Sequence, residues 1–252
     1  HQPAGAARAG RDVAAARDHG GDERGDRQGD GPGVHRPMIP GRAARASAGG
    51  PSARPGAAAT PICYGGPMVD VALRYRVELE RPEDHLVAVT MTVPCADAVV
   101  DGRVELTLPS WTPGSYLIRD YARYLRELVV TGDDGRSRPV TKVDKATWAV
   151  AAAGDQALTV RYRVYGHDLT VRTNHVDGTH AFLHPPALLL HVPALRARPV
   201  EVLVVPPAGR GWALATGLDG GVLGPPADRY LLTAPDVDAL YDAPIHLGHD
   251  EA

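Results

Sequence analysis

Hydrophobic and polar positions alternate with period two in several stretches between residues 69 and 164, the spacing of strands that bury one face. Val69, Val71, Leu73, Tyr75, Val77 and Leu79 interleave with Asp70, Arg74, Arg76, Glu78 and Glu80, and only Ala72 breaks the polar side. Val87, Val89, Met91 and Val93 repeat the pattern, as do Val104, Leu106 and Leu108. Leu158, Val160, Tyr162 and Val164 repeat it again, opposed by Thr159, Arg161 and Arg163. Between these runs lie Asp101-Gly102, Gly132-Asp133-Asp134-Gly135, Gly154-Asp155 and Gly220-Gly221, where a positive φ costs little. The pattern predicts an all-β domain, an antiparallel β-sandwich or saddle with one or two short helices, near 117–125 and 236–241. No internal repeat of fixed period is present.

The stretch Trp111 to Tyr124 stands apart, because rigid, aromatic and paired charged residues are concentrated in it. Pro113 fixes its own φ and pushes Thr112 toward extended geometry, and Gly114 supplies the positive φ of a type II turn, so a tight turn is expected at 112–115. Beyond it Tyr116, Leu117, Tyr121, Tyr124 and Leu125 fall at helical spacing with Ser115 as a candidate N-cap, which predicts a short helix or 3₁₀ segment carrying aromatics on one side. The rings serve either as a docking patch or as the core of a strand-linking corner. Arg119 and Asp120, set among apolar rings, need a partner inside the domain or on a docked surface.

Composition divides the chain. Residues 1–67 are dominated by Arg, Ala, Gly, Asp and Pro, and their branched aliphatic and Met positions (Val13, Val34, Met38, Ile39, Ile62) are too scattered to bury a core. This segment is expected to be disordered, and residues 68–252 to form the folded domain. The chain opens on His1, the first strand follows Met68 directly, and Tyr64-Gly65-Gly66-Pro67 is compatible with a purine-rich ribosome-binding sequence upstream of that codon. Translation from Met68 is the expectation, with 1–67 untranslated. Arg and acidic residues alternate in this arm, no aromatic precedes Tyr64, and the formal charge of the whole chain is -3, so nothing points to nucleic acid. No apolar stretch has the length of a signal or membrane helix, and a cytoplasmic protein with no membrane partner is expected. Cys63 and Cys95 do not make a disulfide framework.

Candidate chemistry is sparse. His180 and His184 are spaced i, i+4, and His175, Asp177 and His191 are near in sequence, a grouping that would suit a metal on a helical face. Ala181 occupies the place of a catalytic Glu, and Pro185-Pro186 stops a helix, so no metal is expected. Ser115 lacks a Gly-x-Ser-x-Gly elbow and an identifiable base. Gly217-Leu218-Asp219-Gly220-Gly221 lacks phosphate-loop spacing and reads as a hairpin or surface loop. No catalytic residue and no cofactor are expected in this chain.

Trp111, Pro113-Gly114-Ser115-Tyr116, Ile118-Arg119-Asp120 and Ala122-Arg123 resemble the signature of the N-terminal domain of the glycyl aminopeptidase family, zinc metallopeptidases of the gluzincin type. The resemblance extends over most of 69–248, through Pro82 and His85, Asp144-Lys145 with Trp148, Val171-Arg172, Trp212, and Asp242-x-Pro244. Two departures occur: Phe182-Leu183-His184-Pro185 replaces a Phe-x-Asn-Gly-like turn, and His246 replaces an acidic residue. The resemblance implies a non-catalytic β-domain packed on a catalytic domain that carries His-Glu-x-x-His, a motif absent from this sequence. Zinc is implied for that domain, and so are peptide substrates with small N-terminal residues, reached through it. Trp111, Pro113, Gly114, Ser115, Tyr116, Arg119, Asp120, Tyr121 and Arg172 are the candidate interface or cleft-shaping residues. Arg119 is expected to pair across the domain boundary and Arg172 within this domain. An independent β-sandwich binding module is the alternative.

Overall fold

Leu73, Tyr75 and Val77 leave the first strand on one side and are buried, while Arg74, Arg76 and Glu78 leave on the other. The computed structural model, which describes residues 72–152, 154–223 and 229–249, builds this alternation into three sheets. The expectations for residues 1–67, and for Val69 and Val71, lie outside the described residues.

In chain order the strands are β1 (Leu73–Glu78), β2 (Leu86–Pro94), β3 (Arg103–Thr107), β4 (Leu125–Thr131), β5 (Ser137–Arg138), β6 (Val140–Lys142), β7 (Thr147–Ala151) and β8 (Ala157–Tyr165). They continue with β9 (His175–Val176), β10 (His180–Leu183), β11 (Val200–Val205), β12 (Ala213–Thr216), β13 (Asp219–Leu223), β14 (Arg229–Ala234) and β15 (Ile245–Gly248). Two short helices, α1 (Pro185–Leu188) and α2 (Val237–Tyr241), complete the set with 3₁₀ turns at Pro82–Asp84, Tyr121–Tyr124 and Pro193–Leu195. An eight-stranded sheet runs β13-β14-β11-β1-β2-β8-β4-β5, a four-stranded sheet β12-β15-β10-β9, and a three-stranded sheet β3-β7-β6. The all-β expectation holds, with one refinement: β1 and β11 pair in parallel, from Leu73 opposite Val200 to Glu78 opposite Val205. Of the glycine segment read as a hairpin or surface loop, Gly217 and Leu218 form a bend and Asp219 to Gly221 open strand β13, which pairs antiparallel with β14. No helix among the described residues is long and apolar enough to cross a membrane.

Leu188, the last residue of α1, and Leu189 and Leu190 after it are fully buried, and the Leu189 amide still donates to the Pro185 carbonyl at 2.8 Å. Buried backbone groups need partners, and tyrosine hydroxyls from the surrounding elements supply them. Tyr75 of β1 donates to the Leu190 carbonyl (2.7 Å), and Tyr162 of β8 donates to the Leu188 carbonyl (3.1 Å) while accepting from the Leu190 amide (2.9 Å). Tyr241 of α2 donates to the Leu189 carbonyl (2.8 Å). Burial raises the pKa of all three phenols, so they stay protonated as donors. One residue further on, His191 and Thr107 exchange both backbone bonds at 2.9 Å, which ties the segment to β3. The layers are thus joined by directed bonds as well as by apolar contact.

The two helix expectations fare differently. The short helix expected near 236–241 forms as α2, capped by Asp236, whose carboxylate accepts from the Ala239 amide at 2.7 Å. At 117–125 only Tyr121–Tyr124 is helical, as a 3₁₀ turn, and Ser115 caps nothing. Asp120 stands at the turn's N-terminus with φ 45°, a left-handed conformation that reverses the chain and breaks the helical register linking Tyr116 to Tyr121.

Candidate functional site

Residues 111–119 close on themselves. The Ser115 amide donates to the Thr112 carbonyl (3.1 Å) around Gly114 at φ 79°, the type II turn expected of Pro-Gly. Trp111 Nε1 donates to the Ser115 carbonyl (2.6 Å), and the Arg119 amide donates to the Ser110 carbonyl (2.7 Å). Ser115 is buried, and its hydroxyl lies 2.9 Å from the Leu117 carbonyl, 3.3 Å from the Leu117 amide and 3.4 Å from Arg119 Nε. That oxygen is committed to holding the loop, which leaves it no part as a nucleophile.

A loop so closed needs no side-chain burial to stay ordered, and its side chains point outward. Tyr116 is 99% exposed, Ile118 74%, Leu117 63% and Trp111 50%. The loop after β8 adds Leu169 and Val171, at 75% and 74%. Arg172 joins the two, its Nη2 donating to the Gly114 carbonyl at 3.2 Å. Tyr121 turns inward instead: it is fully buried and meets the His184 ring edge to face at 6.0 Å. The aromatic face expected of both tyrosines is therefore carried by Tyr116 and Trp111, with Tyr121 supporting it from beneath. Asp120 forms an exposed ion pair with Lys145 at 3.6 Å.

Beside this rim opens a cleft of about 990 Å³. Its lining collects segments far apart in sequence: Trp111 to Pro113, Asp120, Asp144 to Thr147, Val171-Arg172, His184, His191, and Asp238 to Pro244. Four of the motif segments singled out in the sequence converge here. Trp148 and Trp212 lie in the core instead. Asp144 caps its own loop, accepting from the Ala146 amide at 2.7 Å, and that bond leads the effects holding its carboxyl below the usual range. Burial lowers the His184 pKa to about 4, and burial with the nearby Arg196 charge lowers that of His191 to about 4. The cleft walls are thus neutral imidazoles near pH 7, flanked by the Arg196–Asp238 ion pair at 2.6 Å. Within the cleft His191 Nδ1 lies 3.0 Å from the Tyr241 hydroxyl, which also donates to the Leu189 carbonyl at 2.8 Å.

The histidines that are close in sequence separate in space. β10 is a strand and not a helix, so His180 and His184 share no helical face. His184 goes to the cleft and His180 to a separate group with His175 and Asp177. Sequence reasoning missed Leu169, an isolated apolar residue in a polar loop. It also missed Asn174, buried, whose side chain accepts from the His184 amide (2.8 Å) and donates to the Ala187 carbonyl (3.2 Å), fixing the corner that carries His184. A lone Asn in a loop carries no signal of that role.

A structure described as an aminopeptidase N family protein from Idiomarina loihiensis superposes with a TM-score of 0.63 at 32% identity, covering 70% of this chain and 29% of that one. An M1 zinc metallopeptidase from Deinococcus radiodurans gives a TM-score of 0.43 at 14% identity, covering 71% and 41%. The chain thus spans less than a third of the length of the first of these and under half of the second. No curated protein matched the sequence. The peptidase M61 N-terminal domain family matches residues 74–249, through every sheet and both walls of the cleft, and the chain belongs to that family.

Proposed function

We propose that this chain is the non-catalytic N-terminal β-domain of a zinc-dependent aminopeptidase that acts on peptides with small N-terminal residues, as in the glycyl aminopeptidase branch of the family. The rim formed by 111–118 and 169–172 packs on the catalytic domain of the same polypeptide, and the adjoining cleft shapes access to its active site. The observation that carries this reading is the exposure of Trp111, Tyr116, Leu117, Ile118, Leu169 and Val171 on loops stiffened by their own hydrogen bonds. Exposed apolar surface of this kind, beside polar groups, marks an interaction site. The zinc of such an enzyme belongs to the partner domain, since this sequence has no His-Glu-x-x-His. No step of hydrolysis is assigned to residues of this chain.

The test is to produce the chain together with the catalytic domain encoded downstream of it, and to assay association and cleavage of glycyl and alanyl substrates. Substituting Tyr116, Ile118 and Val171 by Ser is expected to weaken association and lower activity while the isolated chain stays folded. A chain that neither binds the catalytic domain nor alters its activity, or a gene that ends at Ala252, would favour an independent binding module.

A further inference from the structure

Five imidazoles stand in a row along the domain. His85 follows the Pro82–Asp84 turn, His167 follows β8, and His175, His180 and His246 belong to β9, β10 and β15. Successive ring centroids are 3.7, 5.5, 4.9 and 5.8 Å apart, with interplanar angles between 20° and 33°. At the middle of the row Asp177 Oδ2 lies 3.1 Å from His175 Nε2, and Asp177 Oδ1 lies 3.6 Å from His180 Nδ1. One ligand-type atom from each of these three residues falls within 4.8 Å of the other two. We propose that His175, Asp177 and His180 bind one divalent transition-metal ion of the zinc class.

The geometry suits such an ion. Zinc takes nitrogen and oxygen ligands at about 2.0–2.2 Å, which sets neighbouring ligands of a tetrahedral site about 3.3 Å apart. The 3.1 Å between Asp177 Oδ2 and His175 Nε2 is close to that spacing, and His180 Nδ1, 3.6 Å from the other carboxylate oxygen and 2.9 Å from the Thr179 hydroxyl, completes a group that lies within 4.8 Å. Two imidazoles with one carboxylate select zinc, nickel, cobalt or copper, whereas calcium and magnesium require oxygen throughout. Water or a neighbouring imidazole of the row completes the coordination.

The groups are held in place beforehand, as metal ligands are by their outer partners. Asp177 Oδ1 accepts from the Thr179 amide (2.7 Å), the Thr179 hydroxyl (2.7 Å) and the His180 amide (3.0 Å). Arg210 clamps the turn from outside, donating to the Gly178 carbonyl at 2.6 Å while paired with Glu83. The His175 side chain is 8% exposed, whereas those of Asp177 and His180 are 29% and 31% exposed, which leaves an entry path. A bound ion would staple β9 to β10 across their connecting turn. This inference is independent of the docking rim and of the partner domain's zinc.

The experiment uses the full chain, dialysed against chelator and titrated with Zn²⁺ by calorimetry and with Co²⁺ by visible absorption. Expected are one ion per chain at the tightest site, the visible bands of four-coordinate cobalt, and a melting midpoint that rises with free metal. His180→Gln, at a partly exposed position, is expected to fold and to weaken binding by more than the ~10–100-fold that losing an outer partner costs. His249→Gln, outside the row, is expected to leave binding unchanged. No saturable binding by the wild-type chain, or equal binding by wild type and His180→Gln, would overturn the proposal and leave Asp177 as a cap of the turn.

Discussion

Tyr116 and Tyr121 sit in one signature segment and meet opposite fates: Tyr116 is almost wholly exposed and Tyr121 wholly buried. The same contrast runs through the site. The cleft's inner wall, with buried His191 and half-buried Tyr241 and His184, packs against the domain core and buried Tyr121, while the rim side chains Trp111, Tyr116, Leu117 and Ile118 are exposed. What separates them is the source of order. The inner wall is ordered by packing, and the rim by local hydrogen bonds from Trp111, Ser115 and Arg172. A rim ordered this way is preformed for a partner, because little entropy remains to be lost on docking.

The sharpest way to test the division is truncation of the inner ring. Tyr121→Ala is expected to cost about 3–5 kcal/mol in the isolated chain, the range for deleting a buried aromatic ring, read from denaturant melts. Tyr121→Phe is expected to be neutral, since the hydroxyl has no partner among the described residues. A large loss from Tyr121→Phe would show that the hydroxyl carries a bond of its own.

As pH falls from neutral, the inner wall should respond first, because its histidines begin to feel acid at a higher pH than any carboxylate. His184 and His191 titrate at about 4 in the folded chain, below the ordinary histidine value of about 6.5 that applies once unfolded. Between these values the unfolded chain binds protons that the folded chain refuses, so stability falls as pH drops from about 6.5 to about 4 and the loss levels off below that. The expected size is about 2–3 kcal/mol per ring, measured as the pH dependence of the urea midpoint. Replacing His184 by Gln should flatten the profile over that window, and an unchanged slope would remove His184 from the account.

The tie between wall and rim is weaker. Arg172→Lys should lose the planar donor to the Gly114 carbonyl and cost about 1 kcal/mol, the scale of one such hydrogen bond. Arg119→Lys should cost less in the isolated chain, because its contact with Ser115 Oγ is long at 3.4 Å, and more in the presence of the catalytic domain. Equal losses in the isolated chain would erase the distinction between the two arginines. Smallest of all, Tyr116→Ser should change stability by no more than about 0.5 kcal/mol, as for an exposed site, while lowering affinity for the catalytic domain. A marked fall in melting temperature would mean that the rim is held by its rings.

Several elements of the fold are legible in the chain. β1, β2, β3 and β8 each alternate with one face buried, and a short helix near 236–241 is expected where α2 forms. β11 is not legible in this way: Val200-Glu201-Val202-Leu203-Val204-Val205 sits in the interior of the sheet between β1 and β14, and an apolar run there loses the period-two signal. β9, β10 and β15 are too short to show a period at all. For the site, the motif around Pro113 and Gly114 was readable as a turn because φ preferences act on single residues. Its convergence with Asp144-Lys145, Val171-Arg172 and Asp242-x-Pro244 into one cleft was not.

The sequence by itself determined what depends on neighbours in the chain: strand alternation, the type II turn at 112–115 and the short helix near 236–241. Only the tertiary structure decided which tyrosine faces solvent, because Asp120 takes a left-handed conformation that no local rule for that residue demands. It also decided that His180 joins His175 and Asp177 while His184 joins the cleft. Backbone preferences are set within a few residues, whereas the company a side chain keeps is set by strand pairing between residues such as Phe182 and His246, which chain order does not reveal.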